Sequence, residues 1–310
     1  MAREITNDER KTIYFIMLSA NLLSILGSLF IITLFLSFSS LKKFAFTLIV
    51  VLSILDLFNS IAFTIPTFNS RSWSPECQAQ AILSNFFTLL GVFWAGYIAL
   101  SLYFILAKNQ IFPEKYWKHS LIILTILCLV NTIIPIITNS YGTVAGWCWI
   151  EQSGKLDAGF YERNFLFFIP LWLTIFFIIL LYIAVLRVLK NNFNDEVTIK
   201  SLNKKLTYYP IILIFCFLPY TIKAMLELNE VWIVVEYEVE LTVIAGVFRS
   251  LNGFLNALVY GFTKKVRGLL REWRIRKLGC KEIKQKDFMY NETIQGSQCT
   301  LFSDVSREDD

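Results

Sequence analysis

Seven stretches of this chain, roughly 12–38, 44–68, 78–107, 119–138, 164–189, 206–226 and 239–262, are long apolar runs rich in Phe, Leu and Ile, with few charges. Each has about the 20 apolar residues that an α-helix needs to cross the hydrocarbon core of a bilayer. In that core the chain must satisfy its own backbone N–H and C=O groups, so only helices and closed β-barrels span it. A barrel needs alternating strands of about ten residues, and the chain shows no such alternation. The pattern predicts an all-α membrane protein, a seven-transmembrane-helix bundle. The first run is too long for the ~7–15-residue core of a cleaved signal peptide and reads as a span. Composition agrees: 55% of residues are hydrophobic and only 17% charged, against roughly 25% charged in soluble domains.

An odd number of spans puts the two termini on opposite sides. Six Lys and Arg (Arg3, Arg10, Lys11, Arg71, Lys155 and Arg163) fall on the N-terminal side and twenty-one on the other; Lys223 and Arg249 lie within the blocks. Basic residues collect on the cytoplasmic side, so the chain is expected in the plasma membrane with its N-terminus extracellular and its C-terminus cytoplasmic. The expected organisation is a short extracellular N-terminus 1–11, a seven-transmembrane bundle 12–262, an amphipathic cytoplasmic helix 263–280 and a disordered cytoplasmic tail 281–310. Only Cys77, opening the third block, and Cys148, in "AGWCWIEQ", then face the oxidising side; Cys128 and Cys216 are inside blocks, and Cys280 and Cys299 are on the reducing side. That leaves one connectivity for a bridge. It would fix the outer loop 139–163 onto the third helix, with Trp147 and Trp149 capping the bundle or anchoring at the headgroups.

Three motifs, in order, carry a resemblance. The outer loop has "WCWI" with a cysteine to pair at the top of the third block. The sixth block reads "KKLTYYPIILIFCFLPYTIK", and the seventh contains "NGFLNALVYGF". Together they resemble the slime-mould-type cyclic-AMP receptor family of G-protein-coupled receptors over about residues 12–265. Cys216-Phe217 stands where that family more often has Cys-Trp. The resemblance implies a receptor that transmits extracellular ligand binding to a heterotrimeric G protein. The partner surface would comprise Tyr103–Lys108, the loop 108–118, the basic loop 190–205 and the inner end of the sixth helix. The rhodopsin-type Asp/Glu-Arg-Tyr is absent from the base of the third block, where "SLYFILAKN" stands. About eleven residues precede the first block, too few for a ligand-capturing domain, so a small molecule or short peptide is expected. A cyclic nucleotide is only weakly indicated.

Prolines 66, 135, 170, 210 and 219 fall within the predicted spans as static kinks or hinges. Pro219, in the outer half of the sixth block, is the hinge candidate. Asn256 and Tyr260 share one helical face, in the place where rhodopsin-like receptors have Asn-Pro-x-x-Tyr; here Ala257 replaces the proline. They are candidates for a conformational switch with Asp56 and Asn252, or for simple helix adhesion. Arg249, deep in the seventh block, costs at least ~2.5–3.5 kcal/mol to insert and needs a partner. Asp56 can pair with it. Alternatively Arg249 forms the floor of a ligand cavity and meets an anionic group, while Asp56 bonds Asn252 or Asn256. Glu227, Glu236, Glu238 and Glu240 are further partners to weigh. Trp147, Trp149 and Lys223 join Arg249 as ligand-binding candidates.

Beyond the seventh block, Phe262, Val266, Leu269, Leu270 and Trp273 lie near one helical face among seven Lys and Arg residues between 264 and 277. That pattern suits anionic membrane lipids. Cys280 is a lipidation candidate, and Asn291 matches a glycosylation pattern on the wrong side of the membrane. Catalysis has little support: His119 is the single histidine, and the blocks hold no His/Asp cluster for a metal. No enzyme activity, cofactor, metal or nucleic-acid partner is expected. A small seven-helix transporter is the alternative, though the internal repeat usual in transporters is not evident.

Overall fold

Ser, Thr and Asp side chains decide where several of the helices begin. The computed structural model describes residues 5–108, 110, 112–152, 157–192, 196–228, 236–261, 263 and 266–274, in two compact units, Met1–Gly261 and Phe262–Asp310. Helix α1 (Asn7–Ser37) opens with a capping box between Thr6 and Glu9. The polar segment expected to precede it is therefore partly helical. Helix α2 (Phe44–Phe63) stops well short of residue 68: Thr64 bonds the Ile61 carbonyl through both its N–H and its hydroxyl. Pro66 lies beyond α2, not within a span as expected, because a proline disfavours helix at the residue before it. Helix α3 (Pro75–Lys108) starts with Pro75, and the Ser74 hydroxyl accepts the Cys77 N–H.

Helix α4 (Phe112–Ile137) and α7 (Glu196–Leu228) start well before their apolar blocks. The expected loops 108–118 and 190–205 are thus largely helical where described. Hydropathy marks the hydrocarbon slab, whereas Lys, Glu and Leu continue a helix beyond it at little cost. Between α4 and α7, Asp157 caps α5 (Ala158–Glu162), which runs through a π-helical turn (Arg163–Phe168) into α6 (Ile169–Asn192). Pro170 cannot donate to Leu166, and the Asn131 side-chain amide from α4 takes that carbonyl instead, at 2.9 Å.

The last apolar block is two helices, not one: α8 (Glu238–Ser250) and α9 (Asn252–Gly261), broken at Leu251. The Ser24 hydroxyl of α1 causes the break. It donates to the Ser250 carbonyl at 2.5 Å and accepts the Phe254 N–H at 3.1 Å, replacing the i→i−4 bond between them. Among the described residues, six helical stretches are long and apolar enough to cross a membrane, the last of them α8 and α9 together. Helix α3 packs against α2, α4 and α6, while α1 packs against α2, α8 and α9. Large apolar side chains such as Ile126, Val130 and Ile137 point outward from α4, as a lipid-facing surface requires.

The polar break 139–163 is not a simple loop. Strands β1 (Tyr141–Val144) and β2 (Trp147–Ile150) pair antiparallel, Tyr141 opposite Ile150 and Val144 opposite Trp147. All four residues of β2 are buried, including both tryptophans, so the headgroup position considered for them is not taken up. A Cβ on Gly146 would stand 2.4 Å from the Ile13 side chain of α1, so this position needs glycine. Ala145 therefore supplies the positive φ of the turn, 56°, a conformation that costs a non-glycine residue about 1 kcal/mol.

In the second unit, 266–274 is helical, with the Thr263 carbonyl and hydroxyl accepting the first N–H groups. The expected helix residues 275–280, with Cys280, and the tail 281–310 lie outside the described residues.

Candidate functional site

The hairpin is fixed over the bundle by four side chains below it. Cys148 is bonded to Cys77 of α3, with their Cα atoms 5.2 Å apart. One turn further along α3, Gln80 accepts the Cys148 N–H at 2.6 Å, accepts the Thr67 hydroxyl and donates to the Ile65 carbonyl. The Trp149 indole N–H donates to Asn85 at 3.1 Å, and Asn85 donates to the Tyr141 phenol, which donates to the Thr132 carbonyl. Burial pushes the Tyr141 phenol above its ordinary pKa, offset in part by Asn85, so it stays a neutral donor. Arg163, turned inward by the π-helical segment, donates from Nε to the Ile150 carbonyl at 2.6 Å.

Trp149 is fully buried. Its ring meets Phe167 at 4.9 Å and Tyr220 of α7 at 5.3 Å, both edge to face. It also lies within reach of two guanidiniums, Arg163 at 5.4 Å and Arg249 at 5.8 Å from its centroid. Trp147 is buried 6.1 Å from Tyr220, ring to ring. Lys223, the other ligand-binding candidate, is buried and paired with Glu227 one turn along α7; Glu227 also faces Arg163 at 3.8 Å. One carboxylate thus answers two cations at the C-terminal end of α7.

Arg249 is only 2% exposed. Its Nη2 donates to the Thr88 hydroxyl at 3.2 Å, while among the described residues Nε and Nη1 have no hydrogen-bond partner. Four rings surround it: Phe63 at 4.7 Å, Tyr220 at 5.4 Å, Trp149 at 5.8 Å and Phe167 at 5.9 Å. The Asp56–Arg249 pair weighed from sequence is not formed, and among the described residues no carboxylate makes a salt bridge with Arg249. The physical reason is competition from α9. Asp56 Oδ1 accepts the Asn252 amide at 2.9 Å and Oδ2 the Asn256 amide at 2.8 Å. Gly253 lets α9 approach this closely, since a Cβ there would meet Asp56 Cβ at 3.1 Å and Ser28 Oγ at 3.2 Å. Desolvating a charge costs several kcal/mol, and each orphaned donor adds about 1–3. Cation–π contacts return roughly 0.5–2 each, least for rings near the 6 Å limit. The guanidinium is held, but its charge is not neutralised.

A cavity of about 10 Å³ separates Arg249 from Asp56; Asn59, Thr88, Asn252 and Asn256 also line it. That is room for about one water. Thr88 donates to Asn59 at 3.0 Å, so one polar chain, Arg249–Thr88–Asn59, joins α8, α3 and α2 beneath the hairpin. Tyr260 is half-buried at the far end of α9, and Pro219 lies beside Tyr220 in α7. Among the described residues no cluster of three or more His, Cys, Asp or Glu can hold a metal. The sequence reading missed Gln80, Asn85, Thr88, Tyr220 and Arg163. A signal existed for part of this set: Gln80, Ser84 and Thr88 recur every four residues in an apolar block, which marks a polar stripe on one helix face.

Known proteins give this arrangement its context. Residues 4–267 match the model of the slime mold cyclic AMP receptor family. The G-protein coupled receptor 1 of Arabidopsis thaliana is 28% identical over 281 residues, 86% of this chain and 83% of the relative. The cyclic AMP receptor-like protein A of Dictyostelium discoideum is 27% identical over 255 residues, 82% of this chain but 64% of the relative. An ascaroside receptor of Arthrobotrys oligospora is 25% identical over 187 residues, 56% of this chain and 43% of the relative. With a family match running from before the first helix to beyond α9, this chain belongs to the slime mold cyclic AMP receptor family.

Proposed function

We propose that this protein is a G-protein-coupled receptor of the plasma membrane, a bundle of seven spans made by α7, sixth in chain order, together with the six apolar stretches. Its N-terminus and hairpin are extracellular, and its C-terminus is cytoplasmic, in keeping with the excess of Lys and Arg on that side. The basic segment 263–280 lies along the cytoplasmic leaflet on anionic lipid. The protein binds a small extracellular molecule or peptide and acts on a heterotrimeric G protein, not as an enzyme.

The observation that carries this reading is the buried polar chain running from beneath the disulfide-fixed hairpin to α9. Polar groups inside a membrane bundle are costly and mark functional paths. Here they start at Arg249, against the hairpin's Trp149, and link α8, α3 and α2; Asp56 on α2 then holds α9 through two asparagines. A ligand that alters the hairpin or the rings below it changes contacts on α2, α3, α7 and α8 together. Such a ligand shifts the bundle's equilibrium by its differential affinity for the two states. The G protein would meet the inner ends of α3 and α7 and the segments 108–118 and 190–205. The relatives' names set the first ligands to try: cyclic AMP and an ascaroside.

The test is GTP exchange on a purified heterotrimer, catalysed by the full chain in nanodiscs, with those compounds and a wider panel of nucleotides, amino acids and peptides. At least one compound should accelerate exchange. Directional uptake of a solute into proteoliposomes, with no acceleration of exchange by any compound, would overturn the proposal in favour of a transporter.

A further inference from the structure

Most of the buried charges in the outer half of the bundle have a polar answer. Glu227 pairs with Lys223 and faces Arg163, Arg163 also bonds the Ile150 carbonyl, and Glu162 accepts the Thr138 hydroxyl at 2.5 Å. Arg249 is the least satisfied of them. Among the described residues its Nη2 reaches only Thr88 and its other two nitrogens lack a hydrogen-bond partner, against one oxygen of Glu162, although Arg249 is almost wholly buried, and Asp56 is engaged with Asn252 and Asn256. Aromatic faces hold its charge instead, from α2 (Phe63), the hairpin (Trp149), the π-helical turn (Phe167) and α7 (Tyr220). A ring face attracts a cation without hydrogen-bonding it, so it gives way to an oxyanion that accepts two N–H bonds in the guanidinium plane.

We infer that the ligand is a small organic anion, whose carboxylate or phosphate oxygens bind Nε and Nη1 of Arg249 and displace the ring of Tyr220. This rests on the receptor reading and supplies its ligand chemistry. The void against Arg249 holds about one water, 10 Å³, so an anionic group can seat there only if a ring moves. Three of the four rings belong to rigidly placed neighbours. Trp149 is tied to Asn85 and, through Cys148, to α3; Phe167 sits in the π-helical turn; and Phe63 ends α2. Tyr220 follows Pro219 directly, and there the helix lacks one backbone bond and bends most easily. The anion thus competes with Tyr220 for one cation, and its arrival releases α7 at its hinge. The rings then face the ligand's body, which favours a flat or apolar one.

The full chain, purified in detergent, tests this through its thermal unfolding with sodium phosphate, sodium acetate, cyclic AMP or adenosine, each against sodium chloride at equal ionic strength. Phosphate or acetate should raise the melting temperature of the unmodified protein, and cyclic AMP should do so more than adenosine, which lacks the anion. Arg249→Met should weaken the anion effect about tenfold to hundredfold, the loss expected for hydrogen bonds to a charged group. Arg249→Lys should keep part of it, and Tyr220→Leu should strengthen it by removing the competitor; these two variants decide the matter if Arg249→Met does not fold. Anions that leave the unmodified protein unchanged, or that protect Arg249→Met equally, overturn the inference. So does equal protection by adenosine and cyclic AMP. The receptor reading fails separately: a neutral compound that accelerates GTP exchange equally in the unmodified protein and in Arg249→Met would leave the receptor standing and remove its anion site.

Discussion

Arg249 and Asp56 are both buried in the bundle, yet they do not answer each other: Asp56 accepts two asparagine amides, whereas Arg249 meets a threonine and four rings and its charge stays uncompensated. A double-mutant cycle measures that independence. Asp56→Leu leaves the Asn252 and Asn256 amides without their acceptor and should cost about 2–5 kcal/mol. Arg249→Met exchanges an uncompensated charge for an apolar chain, so it should cost little or even stabilise. Chemical unfolding of the double mutant should match the sum of the singles within about 0.5 kcal/mol; rescue of one by the other would mean that the two ions pair after all. The hairpin turn gives a second residue-scale test. Ala145→Gly relieves a positive φ and should stabilise by up to about 1 kcal/mol, whereas Gly146→Ala drives a methyl into Ile13 and should cost about 1–3. Melting temperatures that move in opposite directions for these adjacent positions are the expected outcome.

At the scale of elements, the hairpin depends on its cross-link. Cys77→Ser or Cys148→Ser should cost about 2–5 kcal/mol and reduce the amount reaching the cell surface, as surface labelling would report. Asn131→Leu removes the donor that serves the Leu166 carbonyl ahead of Pro170 and should cost about 1–3 kcal/mol in the same unfolding measurement. The six apolar stretches long enough to cross a bilayer were legible because the bilayer imposes a length and a hydropathy that leave a plain mark. Their ends were not, because α4 and α7 continue as ordinary helices into polar sequence. The hairpin was hidden for a different reason: "WCWI" is buried on both faces, so it lacks the alternation that betrays a strand. The break between α8 and α9 was invisible too, since Ser24, far away in sequence, makes it. Asp56, Asn252, Asn256 and Arg249 could be singled out as polar groups in apolar runs, but which of them bond each other depends on helix rotation, which hydropathy does not encode.

For the whole molecule, the central claim is that this bundle has two states and that a G protein selects the one in which the inner end of α7 has moved. Pro219, beside Tyr220 and its cation contact, is where that movement would turn; Pro219→Ala should therefore reduce the efficacy of GTP exchange more than ligand affinity. The movement itself can be measured without knowing the ligand. Spin labels at Lys108, at the exposed C-terminal end of α3, and at Lys204 would report the separation of α3 and α7 by pulsed electron resonance, with Cys280 and Cys299 replaced by serine. Binding of nucleotide-free heterotrimer in nanodiscs should shift the distance distribution to a longer separation, and Pro219→Ala should diminish that longer population. A distribution that is the same with and without bound heterotrimer would contradict the claim.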